Sequence, residues 1–193
     1  MHKNRQRPVK IAVTGHRYIT DDVQLQHSIR QVIGEIIKDH RNSEILLYSA
    51  LAEGSDQLVA EIALEFINTY LCVPLPLAIG EYLRDFNSEK GQKKFQELMS
   101  RAFRVELLPA SKTHQEAYRN LGVYLVEHAD IILAVWNGEF NQKMGGTSDV
   151  VKTALTAGKK VYWIFCPNEA PDANNSLLMH KELGKVEKFG SFV

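Results

Sequence analysis

The stretch Asp130-Ile131-Ile132-Leu133-Ala134-Val135-Trp136-Asn137-Gly138, followed by Gly145-Gly146-Thr147-Ser148-Asp149, decides the fold. Six apolar residues in a row predict a strand buried on both faces, and such strands belong to parallel sheets. The diglycine stands where an apolar-periodic helix begins, over Thr147 to Ala157, which Gly158 closes. A strand that delivers a glycine-rich helix start turns backbone N–H groups and the positive end of a helix dipole toward whatever lies above it. Phosphate is the group such a site favours.

Working outward, the same construction recurs twice. Ile11-Ala12-Val13 runs into Thr14-Gly15-His16-Arg17, and Leu46-Leu47-Tyr48 runs into Ser49-Ala50-Leu51-Ala52-Glu53-Gly54-Ser55-Asp56. Around these, strands are predicted near Lys10 to Thr14, Ile45 to Ser49, Tyr70 to Val73, Arg104 to Leu108, Asp130 to Val135 and Lys160 to Phe165. Helices are predicted between them. One starts at Asp21-Asp22 and carries Val23, Ile29, Val32, Ile33, Ile36 and Ile37. A second covers Ser55 to Asn68, and one or two more within Gly80 to Arg101 overhang the sheet. Another spans Thr113 to His128, with Tyr118, Leu121, Gly122, Leu125 and Val126 inward. Pro74-Leu75-Pro76 is expected to leave the sheet, because proline cannot donate to a ladder. The alternation predicts an α/β protein of three layers, a mostly parallel sheet with helices on both faces. Residues 1–167 read as one domain. Residues 168–193, with Asn174-Asn175 and few periodic apolar positions, read as a C-terminal tail or arm.

Composition narrows the function classes. The chain has 193 residues, 45% hydrophobic and 24% charged, enough for one well-buried core. Lys plus Arg equals Asp plus Glu at 23 each, so the formal charge is zero and the footprint of a general nucleic-acid binder is missing. The basic start, Met1 to Arg7, is not followed by a signal-peptide core, and no apolar run approaches the roughly 20 residues a membrane helix needs. A microbial cytoplasm is the expected compartment. Cys72 and Cys166 fall in strand-like segments and read as buried thiols. Seven scattered histidines give no ligand spacing, so no metal site is read. No nucleophile elbow, Walker loop or zinc-protease motif is present.

The candidate binding residues come from the three loops. Gly15 lets the backbone approach a ligand, and Arg17 offers a planar fork suited to phosphate or carboxylate, although it can equally cap a helix or pair with Asp21. Thr14 and His16 flank them. Ser49 and the amides around Gly54 are set to hold phosphate or ribose, with Asp56 a further ligand-binding candidate, or Ser55 or Asp56 merely caps the second helix. Glu53 is either a ribose acceptor or a solvated loop charge. Gly145, Gly146 and Thr147 cradle phosphate, with Thr147 also able to cap its helix. Asp149, in the first turn, would repel phosphate and is expected to face a ribose, a base edge, a metal or a basic side chain. Trp136 is a base-stacking candidate beside the pocket or a core aromatic.

These motifs, together with Leu75-Pro76, Tyr82 and Asp85-Phe86, resemble the SLOG superfamily, which includes DNA-processing proteins, the lonely-guy phosphoribohydrolases and the N-terminal domains of melastatin-type channels. The likeness covers most of Val9 to Phe165. It implies a Rossmann-like sheet, a site for nucleotides or nucleotide-derived ligands at the strand C-termini, and frequent homodimers. The phosphoribohydrolases carry Gly-Gly-x-Gly-Thr-x-x-Glu, and matching Gly146-Thr147 to its Gly-Thr puts Val150 at the glutamate. Asp149 is one residue early, about 100° around the helix. The expected function is therefore binding of a nucleotide-type ligand as sensor or carrier, with no catalytic residue assigned and no cofactor implied beyond that nucleotide. The alternative is cleavage of the N-glycosidic bond of a nucleoside monophosphate through Glu53 or Asp149. A DNA-binding role is a third reading, weakened by the zero charge. A small-molecule ligand and a homo-oligomer are the partners expected, without membrane or nucleic acid.

Overall fold

The computed structural model describes residues 7–140, 145–171, 173 and 181–190. Seven strands form one sheet in the order β4-β3-β2-β1-β5-β6-β7. These are β1 (Val9–Gly15), β2 (Ile45–Tyr48), β3 (Thr69–Leu75), β4 (Arg104–Leu107), β5 (Ile131–Trp136), β6 (Lys160–Phe165) and β7 (Val186–Phe189). All neighbours pair parallel except β7, which runs antiparallel to β6. The helices are α1 (Val23–Asp39), α2 (Ser55–Ala63), α3 (Ile79–Tyr82), α4 (Glu89–Ser100), α5 (His114–His128) and α6 (Thr147–Thr156), with a 3-10 turn at Leu83–Asp85. Winding from β1 through β2 and β3 to β4 runs one way along the sheet, and winding from β5 to β6 runs the other. Right-handed crossovers therefore put α1, α2 and α4 on one face and α5 and α6 on the other. The α/β architecture, mostly parallel with helices on both faces, is the one expected.

Burial follows the patterning. Every residue of β5 is buried, as its unbroken apolar run requires. On α1 the stripe Leu25, Ile29, Val32, Ile33 and Ile36 faces the core, and Asp22 caps the start by accepting the Gln24 N–H at 2.7 Å. Val23 is not part of that stripe; at 80% exposed it sits in the uncovered first turn.

Three boundaries differ from the sequence reading. α2 ends at Ala63 rather than Asn68, because the chain turns back through Leu64 to Phe66 and reaches β3 by a left-handed Asn68 at φ 64°. Pro74 stays inside β3. The ladder to β2 stops at Tyr48–Cys72, where Cys72 O still accepts the Ser49 N–H, so the donor that Pro74 lacks falls where β2 has already ended. The expected tail also returns to the sheet: β7 adds an antiparallel edge, pairing Val161 with Phe189 and Ile164 with Val186. Asn174 and Asn175 lie outside the described residues. Cys72 and Cys166 are free and buried. No described helix is long and apolar enough to cross a membrane.

Candidate functional site

The sheet order reverses beside β1, whose neighbours are β2 on one side and β5 on the other. In open α/β sheets the crevice outside the strand C-termini at such a point is where ligands bind. The loops after β1, β2 and β5 all end there, so the three glycine-bearing turns singled out in the sequence are brought together.

They are packed on one another more tightly than a spacious cradle would be. Gly54 has φ 90°, open to glycine and strained for other residues, and a Cβ there would sit 2.2 Å from the Arg17 carbonyl oxygen. A Cβ on Gly15 would lie 2.4 Å from Val135 O and 2.5 Å from Ser55 Cβ. Ser55 closes the junction: its N–H donates to His16 O at 3.0 Å, and its hydroxyl reaches His16 O at 2.9 Å and Val135 O at 3.3 Å. The start of α2 is thus satisfied by the main chain of the first loop. Neither Ser55 nor Asp56 makes the capping bond expected of it; the cap residue is Gly54.

Thr14 is buried in the β1–β5 ladder opposite Ala134. His16 bridges the two sides of the crevice, its Nε2 accepting the Asn137 N–H at 2.9 Å. Burial lowers the His16 pKa, partly countered by the Asn137 side chain, so the imidazole is neutral with Nε2 as acceptor. Arg17 does not pair with Asp21. It turns over the sheet edge, donates to the Asp85 carbonyl at 3.0 Å and stands 5.4 Å from the centre of the Tyr118 ring.

Around Arg17 lies a cluster that the sequence did not single out as one site. The Tyr118 hydroxyl donates to the Asp85 carboxylate. Tyr82 packs edge-on against Phe86 and Phe95. Its hydroxyl is fully buried without a hydrogen-bond partner, and Asp56, Tyr118, Arg17 and Asp85 are the charges and dipoles that act on it. Asp56 is buried at the first turn of α2. Burial pushes its carboxyl up to about 7, opposed by hydrogen bonds from the Ala52 and Ala50 amides and by the Arg17 charge. A carboxyl that exchanges a proton near neutrality, beside an unsatisfied phenol, is the most chemically poised group of the site. Tyr82, Asp85 and Tyr118 come from α3, the 3-10 turn and α5, far from Arg17 in sequence. The first two were visible in the sequence among the motif residues after β3 that carry the resemblance, without a role assigned to them.

The other acidic candidates are occupied. Glu53 accepts the Asn87 N–H at 2.7 Å and the Ser88 hydroxyl, while Ser88 caps α4 through the Gly91 N–H. Glu53 therefore holds the start of α4 against the second loop. Ser49 is buried, its hydroxyl accepting the Leu51 N–H at 3.1 Å and donating to Asp56 O at 3.3 Å. Asp149 accepts the Gly145 N–H at 3.0 Å and folds back on its own helix start.

At the third loop the cap residue of α6 is Gly146, and no side chain caps it; Thr147 is the first helical residue rather than the cap. Gly145, at φ 73°, lets this turn press on α5, since a Cβ there would lie 2.8 Å from the Arg119 nitrogen. Val150 is buried at 2.9 Å from a Cβ placed on Gly122, so the position matching the hydrolase glutamate is a packing position. Trp136 is 3% exposed, with its ring edge-on to Phe140 and its N–H unpartnered, and it packs in the core rather than presenting an open face. A shallow depression of about 370 Å³ runs down the outer side of α6 along Asp149, Lys152, Thr153 and Thr156. Among the described residues no cluster of His, Cys, Asp or Glu is arranged to hold a metal.

No protein-family model matches the chain, and no curated protein matches it. Among solved structures, the chain is similar to the X-ray structure of TM1055, a Northeast Structural Genomics Consortium target. The two are 15% identical, with a TM-score of 0.47 over 79% of this chain and 72% of that one.

Proposed function

We propose that the protein binds a nucleotide or nucleotide-derived ligand, with its phosphate at the α6 N-terminus and its remainder over the Arg17–Tyr118–Asp85 cluster, and serves as sensor or carrier. The observation that carries this reading is the start of α6. It opens on a glycine with no side-chain cap, at the point where the sheet reverses. A helix start of that kind carries the equivalent of about half a positive charge and directs N–H groups outward. Arg17, anchored by its neighbours, adds the matching cation. The α2 start has its first donor committed to His16, while at the α6 start the Asp149 carboxylate takes the Gly145 N–H, so phosphate is assigned to the Gly146 and Thr147 amides, and Gly15, Gly54 and Glu53 act by fixing the loops.

The test is equilibrium binding of a panel of nucleoside monophosphates and their nucleosides. Arg17→Ala is expected to weaken the phosphorylated member about 10- to 100-fold, the loss of a charge-assisted contact, and the nucleoside far less. Equal losses for both would place the phosphate elsewhere.

A second reading, cleavage of the N-glycosidic bond, has one observation in its favour, the Asp56 carboxyl near neutrality. Asp56, rather than Glu53 or Asp149, is then the acid–base candidate. Release of free base from a nucleoside monophosphate, abolished by Asp56→Asn, would establish it; stoichiometric binding without release supports the carrier.

A further inference from the structure

The cluster around Arg17 is short of one oxygen. Tyr82 closes α3 and Asp85 ends the 3-10 turn that continues it, three residues on, so the two side chains share one side of the turn. Tyr82 is fully buried and its hydroxyl is a donor without a partner. A phenol buried in this way gives up its bond to water and gains none in return. The charged and polar groups facing it are Asp56, Tyr118, Arg17 and Asp85. Asp56 takes the Ala50 and Ala52 amides, and Arg17 has only donors to offer. On Asp85, one carboxylate oxygen, Oδ2, takes the Tyr118 hydroxyl, and the nearer His114 nitrogen stands 3.9 Å from that same oxygen. Among the described residues no donor reaches the other oxygen, Oδ1. The Asp85 side chain keeps 28% of its surface exposed, which leaves this acceptor open to a ligand.

From this we propose that Tyr82 and Asp85 together select a sugar hydroxyl, so that the ligand is a nucleotide with its ribose hydroxyls intact; the inference rests on the nucleotide reading above. A hydroxyl is the group that fits, because it donates once and accepts twice. It gives its hydrogen to Asp85 Oδ1 and receives that of Tyr82. A phosphate oxygen only accepts and is repelled by Asp85, whereas a base amino group only donates and leaves Tyr82 unmet. The spacing agrees. A Cβ on Gly145 would lie 3.0 Å from Tyr118 Cβ, so the Tyr118 side chain begins beside the α6 start and ends on Asp85. Phosphate and hydroxyl are then separated by about one tyrosine side chain, as the 5′-phosphate and the ribose hydroxyls of a nucleotide are. Tyr118 is a positioning residue, holding the carboxylate by Oδ2 with Oδ1 free. Arg17 bonds the main-chain carbonyl of Asp85 at 3.0 Å and fixes the turn without using its carboxylate.

Calorimetric titration of the full chain tests this, using the tightest nucleoside 5′-monophosphate of the panel and its 2′-deoxy and 3′-deoxy analogues. Wild type is expected to bind at least one analogue about 10- to 100-fold more weakly, the loss of a hydrogen bond to a charged group. In Tyr82→Phe and in Asp85→Ala that penalty shrinks to about threefold or less, while the preference for the phosphorylated ligand over its nucleoside stays. Tyr82→Phe also melts no lower than wild type, because the hydroxyl it removes has no partner in the free protein. Two analogues that bind like the parent, a full penalty retained in Tyr82→Phe, or a Tyr82→Phe that melts several degrees lower would each overturn the proposal. Phosphate preference without hydroxyl discrimination overturns this inference alone. Absence of binding by every nucleotide overturns the nucleotide reading and this inference with it.

Discussion

The Asn137 N–H donates to His16 Nε2 at 2.9 Å, which ties the loop after β1 to the end of β5 across the point where the sheet reverses. The bond needs a neutral imidazole, and burial keeps it neutral by lowering the His16 pKa. Both sides of the proposed crevice are therefore held by one proton-sensitive contact.

Its pH dependence has a definite sign. With the folded pKa depressed below the usual 6.5, the contribution of His16 to stability is complete above that value and is lost as pH falls through it toward the folded value. Thermal melts of wild type and His16→Gln should converge as pH drops from 7.5 to 5. A gap that stays constant over that range would remove the proton from the account.

Asp56 should behave in the opposite sense. Its folded pKa is raised to about 7 from 3.8, so between those values the unfolded chain is ionised while the folded chain holds its proton. Stability then falls with rising pH, by at most about 1.4 kcal/mol per pH unit. Relative to wild type, Asp56→Asn is expected to gain stability steadily from pH 4.5 to 7 and to level off above. Denaturant melts across that range measure the slope, and a flat difference would contradict it.

Gly54→Ala should cost several kcal/mol, since it combines a strained φ with a Cβ 2.2 Å from a carbonyl oxygen of a loop that also holds Arg17. Gly80→Ala, where nothing lies within 4 Å of the added Cβ, is the control and should cost little. Comparable losses for the two would mean that the first and second loops are not rigidly packed.

Most of the frame was legible because it rests on local pattern. The apolar run of β5, the stripe of α1 and the inner face of α5 can each be read from neighbours in sequence. What was not legible depends on partners remote in the chain. Val186 to Phe189 has no distinctive alternation and becomes a strand only because β6 offers an open edge. Glu53 looked like a loop carboxylate, and only the fold brings the α4 start, more than thirty residues on, within its reach. Asp56 resembled a helix cap. Its burial arises from packing that no window of sequence contains. Arg17 and the diglycine were visible as candidates, whereas Tyr82, Asp85 and Tyr118 gain meaning only from meeting around that guanidinium.

The most direct measurement is an amide chemical-shift titration of isotope-labelled protein with a nucleoside monophosphate and, separately, with its nucleoside. The Gly146 and Thr147 amides are expected to move with the phosphorylated ligand and to hold still with the nucleoside, whereas the Arg17 side-chain N–H responds to both. Shifts confined to other parts of the chain, or none at saturating ligand, would contradict it.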